Sequence, residues 1–267
     1  MNDYPRNDVP KKLFMFIFYC LTMYLLSSGI ALLIYVILLR MYPNNPNNYT
    51  FTITLTNLLC YALMVFVFLF ATHDYLAQEF SAFKSRFFKF LGIAIGGYIL
   101  NIILSSIIQG FLASLDIIRE SQNQQAIEET FKYPILAIPV VLIGAPIVEE
   151  LVFRGIIFNF ASNLKLPKKL NIVLAFVLSS TLFGLIHVFS AFLSSHDYTE
   201  LLLGLPYIAA GFSLTLVYYK TNNLIVPMLM HFIQNFISVI VILLIDMFPQ
   251  QPPVKMVSFI TFLCEIF

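Results

Sequence analysis

The sequence predicts an all-α, polytopic transmembrane helix bundle of about seven spans with short interfacial segments. Three observations predict it. First, 60% of the 267 residues are hydrophobic and only 11% are charged, against roughly 25% charged in a soluble globular domain. A chain this apolar cannot cover a water-facing surface with polar groups. Second, the apolar residues fall into runs near the roughly 20 residues that a helix needs to cross a bilayer. Third, the breaks between runs hold prolines, asparagines and charges, which end helices and stay in water. The formal net charge of +1 removes the electrostatic case for a nucleic-acid partner.

The first run extends from about Leu13 to Leu39, between Lys12 and Arg40. Arg6, Lys11 and Lys12 before it resemble a signal n-region. The run is far longer than the ~7–15 residues of a signal h-region, and no small-residue cleavage site closes it. It therefore reads as a retained transmembrane helix. Two prolines and four asparagines between Tyr42 and Asn48 then break the chain. A second span covers about Phe51 to Thr72. His73 to Lys89 alternates polar and aromatic residues and reads as an interfacial amphipathic connector. A third span covers about Phe90 to Leu112, and the polar stretch Asp116 to Lys132 is a solvated loop or short surface helix.

The fourth span, about Tyr133 to Phe160, holds Glu149, Glu150 and Arg154 inside an apolar sequence. The fifth, about Leu170 to Val188, ends near His187. The sixth covers about Leu201 to Tyr219, and the seventh, about Leu224 to Ile245, carries His231 and Asn235. The apolar tail from Met256 to Phe267 is too short to span and reads as interfacial or half-inserted. No internal repeat is visible, so residues 1–267 read as a single membrane domain. Cys20, Cys60 and Cys264 lie far apart in apolar runs. That is neither a disulfide framework nor a metal motif, and they read as small buried hydrophobes.

Basic residues set the expected orientation. With the N-terminus inside, ten lysines and arginines fall on the cytoplasmic side: Arg6, Lys11, Lys12, Lys84, Arg86, Lys89, Lys165, Lys168, Lys169 and Lys220. Four fall on the other: Arg40, Arg119, Lys132 and Lys255. The positive-inside rule then places the N-terminus in the cytoplasm of a multi-pass cell-membrane protein.

An ionisable group inside a membrane helix is costly unless it faces a partner or a polar cavity. Glu150 and Arg154 are four apart and can pair on one helix face. Glu149 projects about 100° away and is left for a cavity, where it suits the role of general base. A buried salt-bridge cluster that only locks helices is the competing reading of the same residues. Phe183 and His187 share a face of the fifth span. His231 and Asn235 share a face of the seventh, where imidazole and carboxamide can both donate to one developing oxyanion. His73 and His196, next to Asp74 and Asp197, fall outside the spans and are expected in solvent.

E-E-x-x-x-R at Glu149, Glu150 and Arg154, F-x-x-x-H at Phe183 and His187, and H-x-x-x-N at His231 and Asn235 follow in that order. Together they resemble the CPBP intramembrane proteases, also called the Abi or CAAX-protease and bacteriocin-processing family. The resemblance covers about residues 136–241, which become the expected catalytic core. It implies peptide-bond hydrolysis inside the membrane. By matching position, Glu149 and His187 would activate water, and His231 and Asn235 would hold the oxyanion. Glu150 and Arg154 would support them, with Glu150 able to share the base role, and Phe183 would pack beside His187.

The cofactor stays open. Glu149, His187 and His231 could form a three-ligand zinc site with a vacant position for water, making the protein a metalloprotease. A metal-free glutamate mechanism would use the same residues. Expected partners are membrane lipid and a peptide or protein substrate of the precursor-processing or bacteriocin self-immunity type. The oligomeric state is unknown from the sequence. Two other classes compete: a catalytically silent scaffold that binds a partner protein, and a proton-coupled transporter. One expectation is awkward. At a rise of ~1.5 Å per residue, Glu149 and His187 lie deeper from the cytoplasmic ends of their spans than His231 does. Tilt, long helices or unwinding at Pro227 would have to close that gap.

Overall fold

The structure is a computed structural model and describes residues 9–247, with side chains to residue 245. The expected tail from Met256 to Phe267, and Cys264 within it, lie outside the described residues. Among the described residues, seven helical segments are long and apolar enough to cross a membrane. They are α1 (Val9–Met41), α2 (Asn48–Ser85), α3 (Phe87–Ser114), α5 (Pro134–Ser162), α6 (Lys168–Ser195), α7 (Leu205–Thr221, preceded by the short turn Thr199–Leu202) and α8 (Ile225–Met247). The eighth element, α4 (Gln122–Thr130), is a polar helix between α3 and α5.

One expected boundary moves. His73 to Lys89 is not a separate connector: α2 runs unbroken to Ser85, and only Arg86 interrupts it before α3. The polar residues of this stretch decorate a helix that is already formed, and every turn added costs little once nucleation has been met. His73 and Asp74 stay exposed and pair with each other at 3.1 Å.

In a membrane, lipid tails are as apolar as leucine, so helices associate through close packing and interhelical hydrogen bonds. The tightest crossing is α6 on α7. Gly184 stands against the Ile208 backbone, and a Cβ added at Gly211 would lie 2.9 Å from the Ser180 carbonyl oxygen. Ser179 hydrogen-bonds with Thr215 Oγ1 at 3.1 Å in the same seam. Gly97 of α3 gives the same close approach to Val217 of α7 and Met230 of α8. α1 is peripheral and meets the bundle through buried Met15, Tyr19 and Thr22.

α5 departs from a regular helix twice, with π-helical turns at Val140–Gly144 and Leu151–Phe158. Pro139 and Pro146 supply the first cause, since neither offers an N–H to the ladder. α8 begins inside the bundle rather than at its rim. Asn223 and Leu224 are buried. The Leu224 N–H donates to Glu79 Oε2 and the Asn223 amide donates to the Glu79 carbonyl, both at 2.8 Å. Glu79 lies six residues before the end of α2, so α8 starts about 9 Å within that end. This recess, not unwinding at Pro227, brings His231 level with Glu150.

We expect Gly184→Leu to destabilise the bundle by about 1–3 kcal/mol, because the new side chain meets backbone that cannot rotate away. A lower midpoint in detergent thermal denaturation, with wild-type helical content before melting, checks it.

Candidate active site

Glu150 is the centre of the site. It is fully buried, and one oxygen, Oε1, accepts from Arg154 Nη1 at 2.9 Å and from His231 Nδ1 at 3.0 Å. The first bond joins one turn of α5 to the next, as the four-residue spacing predicts. The second ties α5 to α8. Arg154, also fully buried, uses Nη2 to donate to the Gly211 carbonyl of α7 at 2.7 Å. Its guanidinium lies over the Phe183 ring of α6, 4.7 Å from the ring centre. Four helices thus meet at one ion pair.

Glu149 points elsewhere, as its position on the helix predicts. Tyr61 of α2 donates its hydroxyl to Glu149 Oε1 at 2.9 Å, while Oε2 is buried with no hydrogen-bond partner. His187 Nδ1 lies 2.7 Å from the Phe183 carbonyl. A carbonyl only accepts, so Nδ1 carries the proton and Nε2 presents a lone pair. The His187 ring also stacks on Tyr207, with centres 4.7 Å apart and 13° between planes. Phe183 packs between the two histidines, 4.9 Å from the His187 ring and 6.0 Å from the His231 ring.

Asn235 has a structural task besides any chemical one. In the first π turn the Ala145 N–H reaches the Val140 carbonyl. The next carbonyl in that register, Val141, would be answered by residue 146, which is proline. Asn235 Nδ2 donates to it instead, at 2.7 Å. Asn159 treats the second π turn alike, donating to the Arg154 and Gly155 carbonyls at 3.1 and 3.0 Å. One of the two amide hydrogens of Asn235 remains for the cavity.

Glu149, His187, His231 and Asn235 line one cavity. Its wall is made of helix stripes: Ile53, Asn57 and Tyr61 from α2, Ala137, Val141 and Ala145 from α5, and Ser238 and Ile242 from α8. α4 closes the far end with Asn123, Gln124 and Ile127. The polar stretch of the sequence is therefore a cover and not only a solvated surface. Its attachment is ionic and hydrogen-bonded. Arg119 donates to Asp197 at 2.6 Å and pairs with buried Glu200, and the Gln122 N–H donates to Glu200 Oε2 at 3.2 Å. Ser121 hydrogen-bonds with the Tyr207 hydroxyl at 2.9 Å, so the cover touches the residue stacked on His187. Asp197 is held below the ordinary carboxylate range by the Thr199 hydroxyl and N–H and by Arg119.

All the motif residues expected from the sequence are gathered at this cavity or directly behind it. The three-ligand metal arrangement is not. Among the described residues, no three His, Cys, Asp or Glu side chains form a metal-binding group. As placed, Glu149, His187 and His231 do not converge on one point as zinc ligands would. Tyr61, Tyr207 and the α4 cover carry no motif. The only trace of the first in the sequence is the spacing Thr54, Asn57, Tyr61, a polar stripe on one face of an otherwise apolar span.

The fold and site define a polytopic membrane protein with a carboxylate–imidazole cavity. Residues 131–237 match the family model of type II CAAX prenyl endopeptidase, Rce1-like, so the likeness drawn from the three motifs holds for this segment. The chain is 34% identical over 155 residues to “Putative membrane peptidase YdiL” of Bacillus subtilis (strain 168), covering 56% of this chain and 57% of that protein. It is 36% identical over 122 residues to “UPF0177 protein YxdF” of Lactococcus lactis subsp. lactis (strain IL1403), covering 45% and 58%. It is 32% identical over 133 residues to an uncharacterized protein of Mycoplasma capricolum, covering 46% and 35%. The chain thus spans about half the length, or less, of the curated relatives it matches. No solved structure matches it.

Arg154→Ala leaves the Glu150 charge buried without its cation, and we expect a loss of about 3–5 kcal/mol, read as reduced accumulation and a lower melting point. A second expectation concerns pH. The folded Asp197 pKa lies below its unfolded value, so its contribution is present above about pH 4 and is lost as pH falls through the folded value. Hydrogen exchange of α4, corrected for intrinsic rate, should gain an acid step that Asp197→Asn abolishes.

Proposed function

We propose that this protein is an intramembrane endopeptidase that hydrolyses a peptide bond in a membrane-embedded or membrane-proximal substrate. The observation that carries the reading is the free, buried Oε2 of Glu149 in the cavity that His187, His231 and Asn235 also line. A water between Glu149 and His187 attacks the scissile carbonyl carbon. Glu149 takes its proton, and the Nε2 lone pair of His187 accepts the second water hydrogen and fixes the attack direction. The proton on Glu149 then passes to the leaving nitrogen as the carbon–nitrogen bond breaks, giving an acid and an amine.

The developing oxyanion is held by the spare Asn235 N–H. His231 joins it as donor only when both ring nitrogens are protonated, because Nδ1 is already committed to Glu150. Glu150 is the counter-ion for that form. Glu150 and Arg154 therefore act as positioning residues, and Tyr61 orients the base. Residues 136–241 serve as the catalytic core of the single membrane domain. Its setting is the cell membrane with the N-terminus cytoplasmic, so the α4 end of the cavity faces the opposite side. Substrates of the precursor-processing or self-immunity type reach it from there or from the lipid.

Glu149→Gln should lower peptide cleavage in proteoliposomes by about 10²–10⁴-fold without changing accumulation or melting. Wild-type activity in that variant would remove the hydrolase reading. A cellular phenotype that survives the substitution would favour the scaffold instead.

A further inference from the structure

His187 takes its aim from a carbonyl and a ring. Its Nε2 lone pair lies in the imidazole plane, so it points at the water only when that plane is set. The Nδ1 bond to the Phe183 carbonyl, at 2.7 Å, limits how far the ring swings. It does not fix the plane alone, because the terminal torsion of a histidine is broad. The Tyr207 ring supplies the second restraint. It lies face to face with the imidazole, 4.7 Å between centres and 13° between planes. Phe183 meets the same imidazole at 47° and does not share its plane.

The backbone under both rings is held. Gly184 and Val188 flank His187 on α6, and Gly204 and Ile208 flank Tyr207 at the start of α7. A Cβ added at Gly184 would lie 2.8 Å from the Ile208 nitrogen, and one added at Gly204 would lie 2.8 Å from Val188 Cγ2. The two helices are therefore in contact on either side of the stack. Tyr207 is buried and follows Pro206, whose ring fixes its own φ.

Tyr207 does not line the cavity, so it acts through what it touches. Its hydroxyl lies on the cover. It hydrogen-bonds with Ser121 Oγ at 2.9 Å and accepts from Asn123 Nδ2 at 3.3 Å. Ser121 Oγ also accepts from the Gln124 N–H at 3.2 Å, which caps α4. The first turn of the cover thus sits on the far end of the ring that backs His187. Asn123 lines the cavity as well, so a substrate that displaces it reaches Tyr207. We propose that Tyr207 is a positioning residue: its ring sets the plane of His187, and its hydroxyl makes that plane depend on α4 being seated. A substrate that lifts α4 to enter loosens the imidazole, and re-seating restores its aim, so water is activated in the closed cavity. This inference rests on the hydrolase reading above and adds the residue that aims its water-holding imidazole.

The test compares Tyr207→Leu, which removes the ring face, with Tyr207→Phe, which keeps it and removes the hydroxyl. kcat and KM are measured on the full-length protein in proteoliposomes, with the peptide of a mixed-sequence library that the wild type cuts fastest. Melting and hydrogen exchange of α4 are read alongside, without substrate. Tyr207→Leu should lower kcat about 10–100-fold with KM within about threefold, because it misplaces a reacting group and leaves binding alone. Tyr207→Phe should recover most of that kcat, yet speed exchange of the α4 amides about fivefold, as the loss of one net hydrogen bond does. Wild-type kcat in Tyr207→Leu would overturn the role of the ring. Equal kcat losses in both variants, in step with lower melting points, would reduce Tyr207 to packing and overturn it too. Unchanged α4 exchange in Tyr207→Phe would overturn the link to the cover, whatever the activity. All three of these failures leave in place a cleavage that Glu149→Gln abolishes. No cleavage by the wild type, or cleavage that persists in Glu149→Gln, overturns the hydrolase reading and the role of the ring with it.

Discussion

The buried ion pair of Glu150 and Arg154 is the constraint on which the rest of the structure depends. Two opposite charges inside an apolar bundle are costly unless they are paired and further hydrogen-bonded. The pair goes part of the way by recruiting its surroundings, with Glu150 Oε2 and Arg154 Nε left buried without a hydrogen-bond partner. His231 comes from α8, the Gly211 carbonyl from α7 and the Phe183 ring from α6. Gly211 must be small for α6 to come close to α7, and its carbonyl must be reachable by Arg154. Helix packing and charge satisfaction therefore fix the same residues. The helix-locking reading of this cluster and the catalytic one are not rivals: locking α8 to α5 is what carries His231 to the cavity.

The π turns of α5 belong to the same arrangement. Each opens the ladder and frees carbonyls, and each is closed by an asparagine side chain, Asn235 or Asn159. Between the two turns stand Glu149 and Glu150, adjacent in sequence and opposite in duty. One has an oxygen held by an arginine and a histidine and lies behind the cavity. The other keeps an oxygen without a partner and faces the cavity. The same helix thus supplies one carboxylate that ties helices together and one that lines the cavity.

Much of this was legible in the sequence, because membrane helices announce themselves by length and apolarity, and because charges in such helices are rare. The seven spans and the Glu150–Arg154 pair follow from those two facts. The divergence of Glu149 from Glu150 follows from the helical turn of about 100° per residue. What was not legible depends on contacts between distant segments. Tyr61 is one of 14 tyrosines, and nothing local says that its hydroxyl meets Glu149. The α4 cover reads as a solvated loop or short surface helix, and not as a cover, because its attachments, Arg119 to Glu200 and Ser121 to Tyr207, span 81 and 86 residues. The recess of α8 depends on Glu79, a residue that looks like part of an interfacial connector until Leu224 is seen capping on it. The zinc option is of the same kind: residue type allows three ligands, but whether they converge depends on how three helices pack, and among the described residues no such group forms.

The distance along the chain between the partners of Glu150 has a consequence for biosynthesis. Arg154 follows it by one turn, so the two enter the membrane together as a neutral unit. His231 follows 81 residues later. At about 5–20 residues per second, a growing chain waits roughly 4–16 s between the two. During that interval the carboxylates are in place, but the second imidazole and the asparagine that closes the first π turn have not been made. The lining of the cavity is therefore completed only by the last of the described helices.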